Sequence, residues 1–278
     1  MKRYACLIVM VAFAKLFAAD LLPLDHQRQS LTIAGYTFQK LYDQARHRWI
    51  FRATKDGSVV RDFGSPEPNE LDLPGDGSHL GIGAVKTVTG AGNQVVIRLW
   101  TGGNKCCHIY WIVGFAPDFR VQLDTSSYRF DSMEVARDID GDGDMEFSFG
   151  TTTFDYFDAG YAYSPRAHAW FKFDRKSATF VPANDLCFPE IEKQIGTGET
   201  KLLALRRREP LAPENQERRQ AILDVVLAYL YAGREHEAWA FFDREYRESG
   251  AHAMRENVER KAGADPFLRD WKGRRPIR

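Results

Sequence analysis

Nine residues, Asp138-Ile139-Asp140-Gly141-Asp142-Gly143-Asp144-Met145-Glu146, carry five carboxylates and two glycines. Neighbouring like charges repel, and glycine gives up the most backbone entropy on ordering, so this stretch cannot be the middle of a helix or a strand. It has to be a loop, and the residues on either side of it have to be the ends of regular elements. Phe147-Ser148-Phe149, directly after it, alternates apolar and polar as a strand does. The loop is therefore expected to sit between strands.

Its chemistry is that of a calcium site. Calcium takes six to eight oxygens at about 2.3–2.6 Å, which a short loop can supply only if its carboxylates recur at every second residue and a glycine permits the turn. Asp138, Asp140 and Asp142 stand at loop positions one, three and five, Gly143 at six, Asp144 offers its carbonyl at seven, and Glu146 stands at nine. Five carboxylates this close repel one another unless a cation joins them. The expected ligand set is Asp138, Asp140, Asp142, Asp144 and Glu146, with Ca2+ as the cofactor. Position twelve is Phe149, so the bidentate glutamate of a helix–loop–helix calcium hand is missing. Asp72-Leu73-Pro74-Gly75-Asp76-Gly77 repeats positions one, five and six, but Pro74 and Leu80 bring no side-chain oxygen, and no ion is expected there.

Around the loop the pattern is that of strands. Trp49-Ile50-Phe51, Gln94 to Trp100, His108 to Phe115, Phe119 to Leu123, Met145 to Phe149, Ala169 to Phe173 and Ala178 to Val181 are short apolar or alternating runs separated by Gly and Asp turns. Phe38 to Tyr42 reads as a short helix, and Gly64 to Gly77 as loop. After Pro189 the period changes. Lys201 to Arg208 is a short basic helical piece. Ile222, Val225, Val226, Tyr229 and Leu230 recur at three and four residues on a long helix opened by Pro213. Gly233 ends it, Glu237 to Tyr246 forms a second helix, His252 to Lys261 a weaker third, and the tail from Asp270 is expected to fray. The fold class is α+β: an antiparallel β-rich main domain with the acidic calcium-type loop, followed by a C-terminal helical hairpin.

The N-terminus reads as a secretory signal. Met1-Lys2-Arg3 is basic, Ala5 to Ala14 is apolar, and Ala12-Phe13-Ala14 offers a small-x-small cleavage site, with Ala18 or Ala19 as later ones. Ten apolar residues are too few to span a bilayer. The expected organisation is a signal peptide over 1–19 with its cut site open, a β-rich domain over 20–190 and a helical region over 191–278. The mature chain is expected in the periplasm or secreted, with no membrane span. Residues 20–200 hold 18 Lys and Arg against 25 Asp and Glu, a net of −7; residues 201–278 hold 17 against 13, a net of +4. Neither value makes a nucleic-acid partner.

In an oxidising compartment Cys106, Cys107 and Cys187 suggest one disulfide, most simply from Cys187 to one of the adjacent pair; a Cys106–Cys107 bridge and three inert thiols are the alternatives.

The chain resembles exported bacterial proteins with FG-GAP/VCBS-like calcium-loop segments. The resemblance rests on Phe63-Gly64 with Asp72 to Gly77, on Thr101 to His108, and on Asp138 to Glu146 with Phe154-Asp155-Tyr156-Phe157 and Ser164-Pro165. It departs from that pattern in having no Phe-Gly pair shortly before Asp138, and in having Lys105 where such proteins often carry a His. Tyr229, Gly233, Ala238 and Phe242 are spaced as in one tetratricopeptide repeat, so the helical tail is TPR-like, and a single unit cannot build the stack that binds peptides.

Two functions compete. Phe154, Tyr156, Phe157, Tyr161, Tyr163 and Trp170 crowd 17 residues, and aromatic rings are either core or contact surface for a protein or a glycan. A non-catalytic, calcium-stabilised binding or structural protein of the cell envelope needs some of them exposed. A cell-envelope hydrolase would instead pair Asp155 or Asp158 with Asp131 or Glu134 and raise the pKa of one carboxyl. His79, His108 and His168 share no metal-ligand spacing.

Overall fold

The computed structural model describes residues 24–65, 77, 79–86, 93–102, 107–208 and 216–274. The N-terminal segment read as a signal peptide and the Asp72 to Asp76 stretch fall outside them, as do Gly103 to Cys106.

The fold is α+β: among the described residues, twelve strands precede five helices. The first four strands, β1 (Ser30–Ile33), β2 (Tyr36–Asp43), β3 (Arg48–Lys55) and β4 (Ser58–Gly64), form an antiparallel meander. Two of its three hairpins turn through Ala34-Gly35 and Asp56-Gly57, all four residues at positive φ, which matches the twist of the flanking strands. The remaining strands are β5 (Leu80–Lys86), β6 (Asn93–Trp100), β7 (His108–Gly114), β8 (Arg120–Asp124), β9 (Phe130–Arg137), β10 (Glu146–Thr151), β11 (His168–Asp174) and β12 (Thr179–Pro182). They make a second antiparallel sheet in the order β12-β11-β10-β9-β7-β6-β5, with β8 paired to β7.

Strands β6 and β7 read as near-continuous apolar runs because both of their faces are covered. Val95, Ile97, Leu99, Ile109, Trp111 and Val113 join Phe38, Phe51 and Phe63 of the first sheet in one core. Val96, Tyr110 and Ile112, on the opposite face by alternation, belong to a second core shared with the helices. The two sheets are also pinned by Lys40, a buried residue of β2 whose Nζ donates to the carbonyls of His26 (2.6 Å), Gly77 (3.0 Å) and Leu80 (2.9 Å). Phe38 to Tyr42 is thus strand, not helix: Tyr36, Phe38 and Lys40 alternate inward, and a lysine on the buried face hides that period from a hydropathy reading.

The helices are α1 (Phe188–Arg208), α2 (Gln216–Tyr231), α3 (Glu235–Glu245), α4 (Ala251–Ala264) and α5 (Pro266–Arg274). Helix α1 begins well before Lys201 and carries Gly196 and Gly198; a Cβ on Gly198 would stand 2.5 Å from Val225 Cγ2 of α2, so the glycine lets the two helices approach. Gly233, at φ 71°, turns α2 into α3, and Ala238 and Phe242 are buried behind it. The tail does not fray at Asp270. Trp271 is buried, its Nε1 donating to Asp185 at 3.3 Å, and Phe267 meets Tyr128, Phe130 and Phe171 of the sheet side. No helix of the described residues is long and apolar enough to cross a membrane.

Cys187, directly before α1, is a free and buried thiol, so the expected bridge from it is not made: it belongs to the core shared by the second sheet and the helices, where burial pushes its pKa up to about 12. Cys107 is disulfide-bonded, with a partner outside the described residues.

Candidate metal centre

The acidic loop joins β9 to β10 as the end of a hairpin. It winds around Asp138, whose Oδ1 accepts the N–H of Gly141 (2.7 Å) and whose Oδ2 accepts that of Gly143 (3.0 Å). Gly141 and Gly143 lie at φ 77° and 88°, a region in which any other side chain would be strained. Asp140 and Asp142 accept the N–H two residues on, from Asp142 at 3.3 Å and Asp144 at 2.9 Å. Carboxyl oxygens of Asp138, Asp140 and Glu146 thereby lie within 4.8 Å of one another, the span of two calcium–oxygen bonds on opposite sides of an ion. Among the described residues this is the group of carboxylate, His and Cys ligand atoms that converges so closely, and it contains no histidine.

Glu146 is the member drawn into the protein. It is 1% exposed; its Oε2 accepts the Ile139 N–H at 2.8 Å, while its Oε1 is buried and has no hydrogen-bond partner. Burial pushes its pKa up, and Asp140 and Asp142 add to the shift against the Ile139 N–H and Lys172.

The other two expected ligands are engaged differently. The Asp144 carboxylate, also buried, accepts from Arg175 Nε at 2.8 Å, and Arg175 reaches the Asp142 carbonyl at 2.8 Å as well. Asp142 accepts from Lys172 Nζ at 2.8 Å; that ammonium also donates to Asp140 and lies 3.8 Å from Glu146 Oε1. Burial works against the Lys172 charge, yet Asp140 and Asp142 hold its pKa well above the usual lysine value. Lys172 and Arg175 come from β11 and the turn after it. They stand about thirty residues away in sequence, and nothing in the spacing of the loop announces them.

The chain was compared with protein-family models, with curated proteins and with solved structures. It matches none of them.

The aromatic run after the loop divides. Phe154 and Trp170 are core, Phe157, Tyr161 and Tyr163 are partly covered, and Tyr156 is 70% exposed. Tyr156 is held at φ 56°, with its N–H donating to the buried Ser164 Oγ at 2.7 Å and its ring 5.5 Å from that of Tyr161.

The candidate carboxylate pairs separate too. Asp158 is bound by Arg219 at 3.1 Å. Glu134 lies 2.7 Å from His168 Nδ1 and over Gly150, where a Cβ would stand 2.9 Å from Glu134 Oε1. Burial pushes the Glu134 carboxyl up, but His168 outweighs it and the net direction is down. Asp155 goes the other way: burial raises it, and the neighbouring Asp131 raises it further against Arg166, Lys261 and Arg129.

Proposed function

We propose that the protein is an exported, non-catalytic binding or structural protein of the cell envelope, whose β9–β10 hairpin is locked by one calcium ion. Two observations carry the ion: carboxyl oxygens of Asp138, Asp140 and the buried Glu146 converge, and Glu146 Oε1 has no hydrogen-bond partner. A buried carboxylate oxygen without a partner is costly, and a hard cation is the ligand that removes the cost for all three carboxylates at once. Support for a binding role comes from Tyr156, presented at the surface on a backbone held in the left-handed region, with the partly covered Tyr161 against its ring. The partner would be a protein or a glycan.

Calorimetric titration of calcium into chelator-treated protein, with thermal melts of wild type and Asp140→Ala, tests this reading. One ion per chain, and a melting temperature that rises with calcium in wild type only, is the expected result. No heat of binding and identical melts would reduce the loop to a solvated turn.

One observation favours a second reading, a hydrolase of envelope material: Asp155 is raised by burial and by Asp131 beside it, the pairing that acid–base cleavage needs. In that case Asp155→Asn and Asp131→Asn would each abolish hydrolysis of cell-wall glycan. A preparation whose hydrolysis is unaltered by both rules it out.

A further inference from the structure

Lys172 has no place in a calcium loop, yet its ammonium is drawn to Asp140 and Glu146, two of the three convergent carboxylates, and to Asp142 beside them. The ladder between β10 and β11 pairs Phe147 with Phe171 in antiparallel register, so one step further brings Lys172 opposite Glu146. By alternation its side chain shares a face with that of Glu146, and it is 80% covered, with 20% of the side chain exposed. The position of the ammonium is set by the register of the sheet rather than by the reach of a loose surface chain.

We propose that Lys172 is a tethered competitor for the ion, which holds the loop together without calcium and sets the calcium concentration at which it fills. The inference rests on the reading of the loop as a calcium site. Two observations beyond the spacing of the carboxylates point to a cation there: the buried Glu146 Oε1 without a hydrogen-bond partner, and the lysine ammonium drawn to the same carboxylates.

The exclusion is geometric. An ion ligated by Asp138, Asp140 and Glu146 at about 2.3–2.6 Å has to lie among oxygens that are themselves within 4.8 Å of each other. Lys172 Nζ donates to Asp140 and to Asp142 Oδ2 at 2.8 Å and lies 3.8 Å from Glu146 Oε1, so it already occupies one side of that carboxylate group. Two cations cannot share it. Arg175 is different: it holds Asp144 and the Asp142 carbonyl, neither of which belongs to the convergent three, and it can stay when the ion arrives. Calcium thus binds only the fraction of molecules in which the lysine has swung out. The apparent dissociation constant is the intrinsic one divided by that fraction.

The test is calcium titration by calorimetry of wild type, Lys172→Met and Lys172→Arg, with melts of each in chelator and in saturating calcium. Lys172→Met should bind calcium at least about tenfold more tightly, while Lys172→Arg, which keeps a cation in the loop, should not. The melts should cross: wild type above Lys172→Met in chelator, and Lys172→Met level with or above wild type in calcium. If the Met variant folds only with calcium, its refolding across a calcium series reads the same affinity. Wild type that binds calcium with a Met variant no tighter overturns the competitor and leaves the ion site standing. Failure of every variant to take up calcium removes the ion site and the competitor together.

Discussion

Gly198 of α1 and Val225 of α2 touch so closely that a methyl group added to the glycine would lie 2.5 Å from Val225 Cγ2. In an exposed helix, glycine to alanine gains about 1 kcal/mol of helix propensity. Here the gain meets an overlap costing about 1–3 kcal/mol, since Val225 is 1% exposed and has no room to withdraw. Gly198→Ala should lower the melting temperature, and the double variant Gly198→Ala, Val225→Ala should lose less than the two single changes added together. Additive losses would mean that the helices do not meet at this pair.

Lys40 should matter more than its place on a strand suggests. Replacing it with Met keeps the apolar stem and leaves the carbonyls of His26, Gly77 and Leu80 without their shared donor. Loss of about 2–4 kcal/mol in denaturant unfolding is the expected outcome. A neutral result would show those carbonyls solvated.

The pH dependence of stability has two opposed contributions. Burial raises the Asp224 carboxyl to about 6, while its Oδ1 accepts the Arg166 N–H at 2.8 Å and Lys201, His168 and Arg166 pull the other way. A raised carboxyl favours the folded state when protonated, so its contribution is present below the unfolded value near 4 and is lost as pH rises to 6 and beyond, by at most about 3 kcal/mol. Asp224→Asn should therefore be more stable than wild type at pH 7, with the difference closing toward pH 4. Urea unfolding at those two pH values decides it.

Glu134 behaves oppositely. Its carboxyl is held below 4.5 by His168, so its stabilisation is present above that value and disappears as pH falls through its folded pKa. Removing the partner in His168→Ala leaves a mostly covered carboxylate unpaired. A loss of about 1–3 kcal/mol at pH 7, shrinking in acid, should follow. A loss equal at all pH values would attribute it to the imidazole's packing alone.

Cys187 should be silent to alkylating reagents. Burial and the nearby Glu146 keep its thiol protonated up to about 12, and alkylation requires the thiolate. Peptide mapping should find it unmodified by iodoacetamide at pH 8 in the native protein and modified in denaturant. Rapid native labelling would show that α1 detaches readily from the sheet.

The parts of the fold that were legible are those in which one residue type decides the outcome. The Asp-rich loop could only be a turn between strands, and the apolar periods of β6, β7 and α2 leave little choice. What stayed hidden depends on partners remote in the chain. Lys40 on a buried face disguised β2, and Gly196 and Gly198 made the first half of α1 look unhelical although Val225 is the reason for one of them. The basic tail concealed Phe267 and Trp271, whose burial makes α5. At the site, the carboxylates declared themselves by spacing, but Lys172 and Arg175 reach the loop only through the β10–β11 register.

Strands β6 and β7 also decide how the molecule can come apart. Each is a party wall: peeling off the first sheet would bare Ile97 and Trp111, and lifting the helices would bare Val96 and Ile112 on the same two strands. Neither half has a lining of its own to keep. The meander and the helices should thus stand or fall together, although the whole stretch from Gly64 to Phe188 separates them.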